Sequence, residues 1–137
     1  MCGISGIVSS NNQDIDKELV HKMTDLLYHR GPDGYGFHFE EGIGLGHRRL
    51  SIIDIEGGHQ PMSDAEKSIW VTYNGEIYNY KELKKSLSKN YLFLSNGDTE
   101  VLLKLLYKYK ERALKKIEGM FAFALWDEKN QELFAAR

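Results

Sequence analysis

Cys2 is the only cysteine of the chain and stands behind Met1 alone. One cysteine cannot close an intrachain disulfide, so this thiol either packs as a small hydrophobe or acts as a nucleophile. Methionine ahead of a small residue is commonly trimmed, and trimming would leave a thiol and a free α-amine on the same residue. A thiol titrates near ~8.5 and an α-amine near ~7.7–8.0, so at neutral pH the amine can serve as base for its own side chain. With Met1 in place the amine is blocked.

Asn74-Gly75 is ordinarily a type I′ hairpin turn. Its alternative use is a pair of donors, the Asn74 side-chain amide and the Gly75 N–H, converging on a tetrahedral oxyanion. Losing one such donor costs about 3–4 kcal/mol of transition-state stabilisation. The missing Cβ of Gly75 would also let a reacting carbon come close.

Arg49 lies in Gly46-His47-Arg48-Arg49-Leu50-Ser51-Ile52-Ile53-Asp54, where strand alternation turns Leu50 and Ile52 to the other face. A strand-borne arginine in a cleft suits bidentate carboxylate binding, and equally an ordinary ion pair. Asp98 reads as a helix N-cap or, at a loop edge, as the receiver of a substrate ammonium.

The histidines at 21, 29, 38, 47 and 59 form no His-x-x-x-His pair, and no Cys-x-x-Cys exists, so no metal site is expected. Gly42-x-Gly44-x-Gly46 lacks the Lys-Ser/Thr of a phosphate loop and sits in a strand pattern, which argues against a nucleotide site.

The elements that must position these residues follow from periodicity. Ile4–Val8 reads as a first strand that places Cys2 at its start. Apolar residues from Asp16 to His29 recur at helical spacing, with Asp14 or Asp16 as N-cap and Gly31-Pro32 as the stop. Strand-like stretches follow at 36–40, 43–53 and 68–73, the last ended by Asn74-Gly75. Asn79 to Glu82 forms a capping box for a short helix, and Asp98 opens a longer one striped by Val101, Leu102, Leu105, Leu106 and Tyr109. A short helix near 111–117 leads to Phe121–Trp126, a strand buried on both faces, then a turn and a partner strand from Glu132. Strands, then helices, then strands again indicate an α+β fold.

With 137 residues, 42% of them hydrophobic, the chain can bury one core and is read as a single domain. A formal net charge of −2 without long like-charge runs gives no reason to expect nucleic acid or a membrane surface. The start MCGISGIVSS has no signal-peptide pattern, and the longest apolar run, Met120 to Trp126, is too short to span a bilayer, so a cytoplasmic protein is expected.

Taken in order, Met1-Cys2-Gly3-Ile4-x-Gly6, His29-Arg30-Gly31-Pro32-Asp33, His47-x-Arg49-Leu50-Ser51-Ile52, Asn74-Gly75-Glu76-Ile77-Tyr78-Asn79, Ser95-x-Gly97-Asp98-Thr99-Glu100 and Gly119-Met120-Phe121-Ala122-Phe123-Ala124 resemble class II glutamine amidotransferases of the asparagine synthetase type. The resemblance runs the length of the chain and implies a four-layer αββα sandwich of the N-terminal-nucleophile hydrolase kind. It implies that Cys2 attacks the side-chain amide of L-glutamine, that Asn74 and Gly75 hold the oxyanion, that Arg49 binds the α-carboxylate, and that Glu76 and Asp98 attend the α-amino group. Ammonia leaves, and water hydrolyses the thioester to glutamate.

In that family the motif Phe134-Ala135-Ala136-Arg137 is followed by further strands and then by a synthetase domain that uses ATP and Mg and receives the ammonia. Residues 1–137 are therefore expected to be an incomplete glutaminase domain, its C-terminal strands missing, with no cofactor of its own. Two other readings stay open on the residues alone: a non-catalytic glutamine-binding or assembly module, and an N-terminal-nucleophile acylase acting on another amide.

Overall fold

The computed structural model describes residues 1–11, 13–51 and 57–137. Along β3 (Ile43–Arg49) the side chains alternate as a strand requires. Gly44, Gly46 and Arg48 face helix α1 (Lys17–Asp25), whereas Ile43, Leu45 and His47 face a second sheet. β3 is the middle strand of an antiparallel sheet, between β1 (Gly3–Val8) and β2 (Gly34–Glu40). Its register pairs Gly3 with Arg48 and Gly34 with Arg49, so the chain start, the end of β3 and the start of β2 meet at one edge.

The second sheet is antiparallel in the order β4 (Met62–Ser63), β5 (Ile69–Ile77), β6 (Gly119–Asp127), β7 (Glu132–Ala136). Helices α2 (Tyr80–Leu87) and α3 (Asp98–Tyr109) cover its outer face, and Val71, Tyr73, Phe123 and Leu125 pack there with Val101, Leu102, Leu105 and Leu106. Burying a side chain of that size stabilises the fold by about 1.5–3 kcal/mol, so this cluster is the main source of stability. Between the sheets Ile43, Leu45 and Trp126 form a smaller cluster with Trp70 against it. The layers run helix, sheet, sheet, helix: the αββα sandwich expected from the sequence.

Several local expectations differ from what forms. Asn74-Gly75 makes no hairpin turn. β5 continues through both residues to Ile77, because Asn74 and Gly75 pair with Ala122 and Phe121 of β6. Asn79 is the N-cap of α2 by position, but its side chain makes no cap bond; it donates to Lys116 O (2.9 Å) and accepts from Glu118 N (3.1 Å). The expected capping box is thus replaced by a tie to the end of a 3-10 helix (Lys110–Lys116). Asp98 is the first residue of α3 rather than its cap, which is Gly97. Asp16, by contrast, caps α1 by accepting from Leu19 N at 3.0 Å. β3 ends at Arg49, short of the expected Ile53, and Ile52 and Ile53 lie outside the described residues.

Candidate active site

The loop that carries His29-Arg30-Gly31-Pro32-Asp33 is pressed against the end of β3. A Cβ on Gly31 would run into the Arg48 carbonyl carbon and lie 2.6 Å from Arg49 N, so only glycine allows this approach. Asp33 closes the contact from both sides: its N–H donates to Arg49 O (3.0 Å), and its carboxylate accepts from Ser51 N (2.8 Å). Arg30 Nε then donates to the Cys2 carbonyl at 3.1 Å. One loop therefore fixes both the backbone of Arg49 and the backbone of Cys2.

Cys2 Sγ accepts from Leu50 N at 3.4 Å and lies 3.7 Å from Leu50 O. The sulfur opens on a cleft of about 140 Å³ between the two sheets. Cys2 and Arg49 reach this cleft from the first sheet, Asn74, Gly75 and Glu76 from β5, and Asp98 from the start of α3. Every site residue named from the sequence is thus brought to one place. Met1, Gln60, Tyr73, Gly97, Thr99 and Met120 also line it.

The packing of β6 adds a second requirement for glycine at position 75. A Cβ there would run into Met120 O and stand 2.6 Å from Phe121 Cα, so the residue is required by the approach of β6. Asn74 lines the cleft beside Gly75 and Glu76. Asp98 is 7% exposed, and one carboxylate oxygen accepts from Tyr73 Oη (2.7 Å) and Ile77 N (3.0 Å). Burial raises the Tyr73 phenol above its ordinary range and the Asp98 carboxylate adds to the shift, so Tyr73 stays a donor at any working pH.

Beneath Arg49, on the same face of β3, His47 is buried with Nδ1 3.0 Å from Thr72 Oγ1 and Nε2 without a partner among the described residues. Burial, and then the neighbouring Arg49 cation, lower its pKa to about 4. The neutral ring leaves the charge at the cleft floor to Arg49.

Reading residues by type missed three positioning groups. Arg30 holds Cys2, Tyr73 holds Asp98, and Gln60 joins β5 to α3 by accepting from Tyr73 N (2.6 Å) and donating to Thr99 Oγ1 (3.4 Å). Arg30 carried a signal, its place beside Gly31-Pro32; Gln60 and Tyr73 carried none, since their partners are distant in sequence. Among the described residues no group of three or more His, Cys, Asp and Glu is placed to hold a metal ion. No helix among them is long and apolar enough to cross a membrane.

This sandwich, with a thiol at the start of its first strand, is the fold of the N-terminal-nucleophile amidotransferases. It matches the solved glutamine phosphoribosylpyrophosphate amidotransferase of Bacillus subtilis with a TM-score of 0.73 over 93% of this chain and 35% of that one, at 19% identity. The chain belongs to the glutamine amidotransferase domain family, whose model matches residues 1–137. It is 45% identical to asparagine synthetase [glutamine-hydrolyzing] 1 and 43% to asparagine synthetase [glutamine-hydrolyzing] 3 of Bacillus subtilis, and 42% to putative asparagine synthetase [glutamine-hydrolyzing] 2 of Methanocaldococcus jannaschii. Each match takes in the whole chain but only 22%, 23% and 30% of the relative, so the chain spans less than a third of their length.

Proposed function

We propose that this chain hydrolyses the side-chain amide of L-glutamine through a Cys2 thioester, as the glutaminase part of an enzyme that makes an amide from the released ammonia. The observation that carries this reading is the convergence of Cys2, Asn74, Arg49 and Asp98 on one cleft from separate elements. A cation and a carboxylate in the same small space suit the two ends of an amino acid, and a thiol that shares a cleft with Asn74 and Gly75 suits an acyl transfer.

Removal of Met1, which is exposed and lines the cleft, frees the Cys2 amine. The amine takes the Sγ proton as sulfur attacks the amide carbon, and the oxyanion forms toward Asn74 Nδ2 and Gly75 N–H. Arg49 holds the α-carboxylate, and Asp98 with Glu76 the α-ammonium. Collapse of the tetrahedral species breaks the C–N bond, the protonated Cys2 amine returns its proton to the leaving nitrogen, and ammonia departs. Water then adds to the thioester, with the same amine as base, to give glutamate and the free thiol.

The names of the relatives point to aspartate as the acceptor and asparagine as the product. Their length beyond the matched part has room for a synthetase domain, where ATP and Mg would act; the residues described here are assigned no cofactor. The test uses protein freed of Met1, with glutamate release from L-glutamine followed alongside glutamine binding. Cys2→Ala is expected to abolish turnover and leave binding largely intact; a Cys2→Ala protein as active as the parent would overturn the proposal.

A further inference from the structure

Glu100 sits in the first turn of α3, and its carboxylate is bonded to the loop that precedes the cap. Its carboxylate reaches back past Gly97 and accepts from Ser95 N (2.7 Å), Ser95 Oγ (2.7 Å) and Leu94 N (3.0 Å), with Lys104 Nζ at 3.1 Å on the other oxygen. The group is 5% exposed. Burial alone would raise its pKa, yet the hydrogen bonds from Ser95, Leu94 and Lys104 outweigh burial and hold it below the usual carboxylate value. From the opposite side Lys84 of α2 donates to Ser95 O at 2.8 Å. The ammonium groups of Lys84 and Lys104 both lie 5.2 Å from the Phe93 ring centroid, which ties α2, the loop and α3 into one unit.

These bonds bend residues 94–97 into a hook over the start of α3. Its end, Gly97 followed by Asp98, is one wall of the cleft. None of the Glu100 bonds reaches the cleft itself, and a helix start is the part of a helix that opens most readily. We infer that Glu100 is a positioning residue for the substrate's amino-acid head: its buried carboxylate holds the Gly97–Asp98 wall in register with Arg49 and so sets the preference for an amide bearing an α-ammonium.

This rests on the reading of the cleft as a glutamine site. It predicts a loss centred on recognition of the head, because the Glu100 bonds end on Leu94, Ser95 and Lys104, whereas Cys2 stands just ahead of β1 and Asn74 on β5.

The experiment compares Met1-free parent, Glu100→Ala, Glu100→Gln and Lys84→Met. Steady-state kinetics are run with L-glutamine and with glutaramate, which has the same amide and carboxylate but no α-amine, and alkylation of Cys2 by iodoacetamide is timed separately. Glu100→Ala is expected to raise KM for glutamine about tenfold or more, the factor for one misplaced contact to a charged group, with kcat and the alkylation rate little changed. KM for glutaramate should barely move, so the preference for glutamine collapses. Glu100→Gln should restore most of it, since one amide oxygen can still accept from Leu94 and Ser95. Lys84→Met, which removes an exterior anchor and leaves the buried carboxylate intact, should shift the preference in the same direction and serves if Glu100→Ala does not fold.

Equal losses on both amides, or a fall in kcat matched by slower alkylation, would overturn the inference and leave Glu100 a purely structural residue. A parent that alkylates at Cys2 but turns over neither amide would instead overturn the glutamine reading, and this inference with it.

Discussion

A proton on His47 would set a second cation beside Arg49 in the layer between the sheets, where the ring is 1% exposed. Its pKa is therefore about 4 in the fold against 6.5 when unfolded. Between those values the unfolded chain binds the proton and the folded chain does not, so stability rises with pH through this window and is lost on acidification. Going from pH 7 to pH 5 should cost about 2 kcal/mol, and urea denaturation at the two pH values reads it directly. In His47→Gln that difference should largely vanish; if the substituted protein loses as much as the parent, the effect belongs to other groups. A second residue-scale expectation concerns Gly75. Because its Cβ space is taken by Met120 O and Phe121, Gly75→Ala must push β5 and β6 apart beside Asn74. Overpacking of that kind costs about 1–3 kcal/mol, and here it should also slow turnover with little change in the accessibility of Cys2 to iodoacetamide.

Elements form where local preference and long-range packing agree. Asp16 shows the agreement: it precedes an apolar run at helical spacing, caps Leu19 N, and leaves Val20 and Thr24 to pack on the first sheet. Asp16→Ala should lower stability by about 1 kcal/mol in chemical denaturation, with no effect on kinetics, since α1 lies on the far side of the sheet from the second sheet. For the same reason β1, β2, α1, α3 and β6 were legible in the sequence within a few residues at their ends. The misreadings fall where tertiary pairing overrode a local signal. Asn74-Gly75 has the chemistry of a turn, but β6 offers it a ladder; Asn79 has the chemistry of a cap, but Lys116 and Glu118 claim its side chain; Asp98 has the chemistry of a cap, but Tyr73 and Ile77 turn it toward β5. The candidate site was more legible than the loops around it. Cys2, Arg49, Asn74 and Asp98 are ambiguous singly and were picked out by their order taken together, whereas Arg30, Gln60 and Glu100 bond to backbone atoms that the folded chain brings near.

The whole sandwich depends on how two sheets of unequal support are held together. The helix-covered face of the second sheet carries the large cluster, whereas among the described residues the cluster between the sheets is the smaller one of Ile43, Leu45 and Trp126, with Trp70 beside them. A polar clasp adds to this small layer: His38 of β2 donates from Nε2 to Glu128 Oε1 at 2.7 Å and stacks on Trp70 with ring centroids 3.9 Å apart. Glu128 belongs to the turn after β6, and its N–H donates to Ser68 O, so the bond joins an outer strand of one sheet to the turn of the other. The His38 side chain is 6% exposed and the Glu128 side chain 21%, so water competes poorly for the contact. Removing the acceptor leaves a buried ring nitrogen unsatisfied, and Glu128→Ala should therefore cost about 1–3 kcal/mol and lower Tm by several degrees. The exposed pair Glu18–Lys22 on α1 supplies the control, because both side chains are mostly in water and Glu18→Gln should cost well under 1 kcal/mol. Equal Tm values for the two variants would show that the apolar layer alone holds the sheets in register. A larger drop for Glu128→Ala would mean that the two sheets whose residues wall the cleft are held together in part by a clasp at a distance from it.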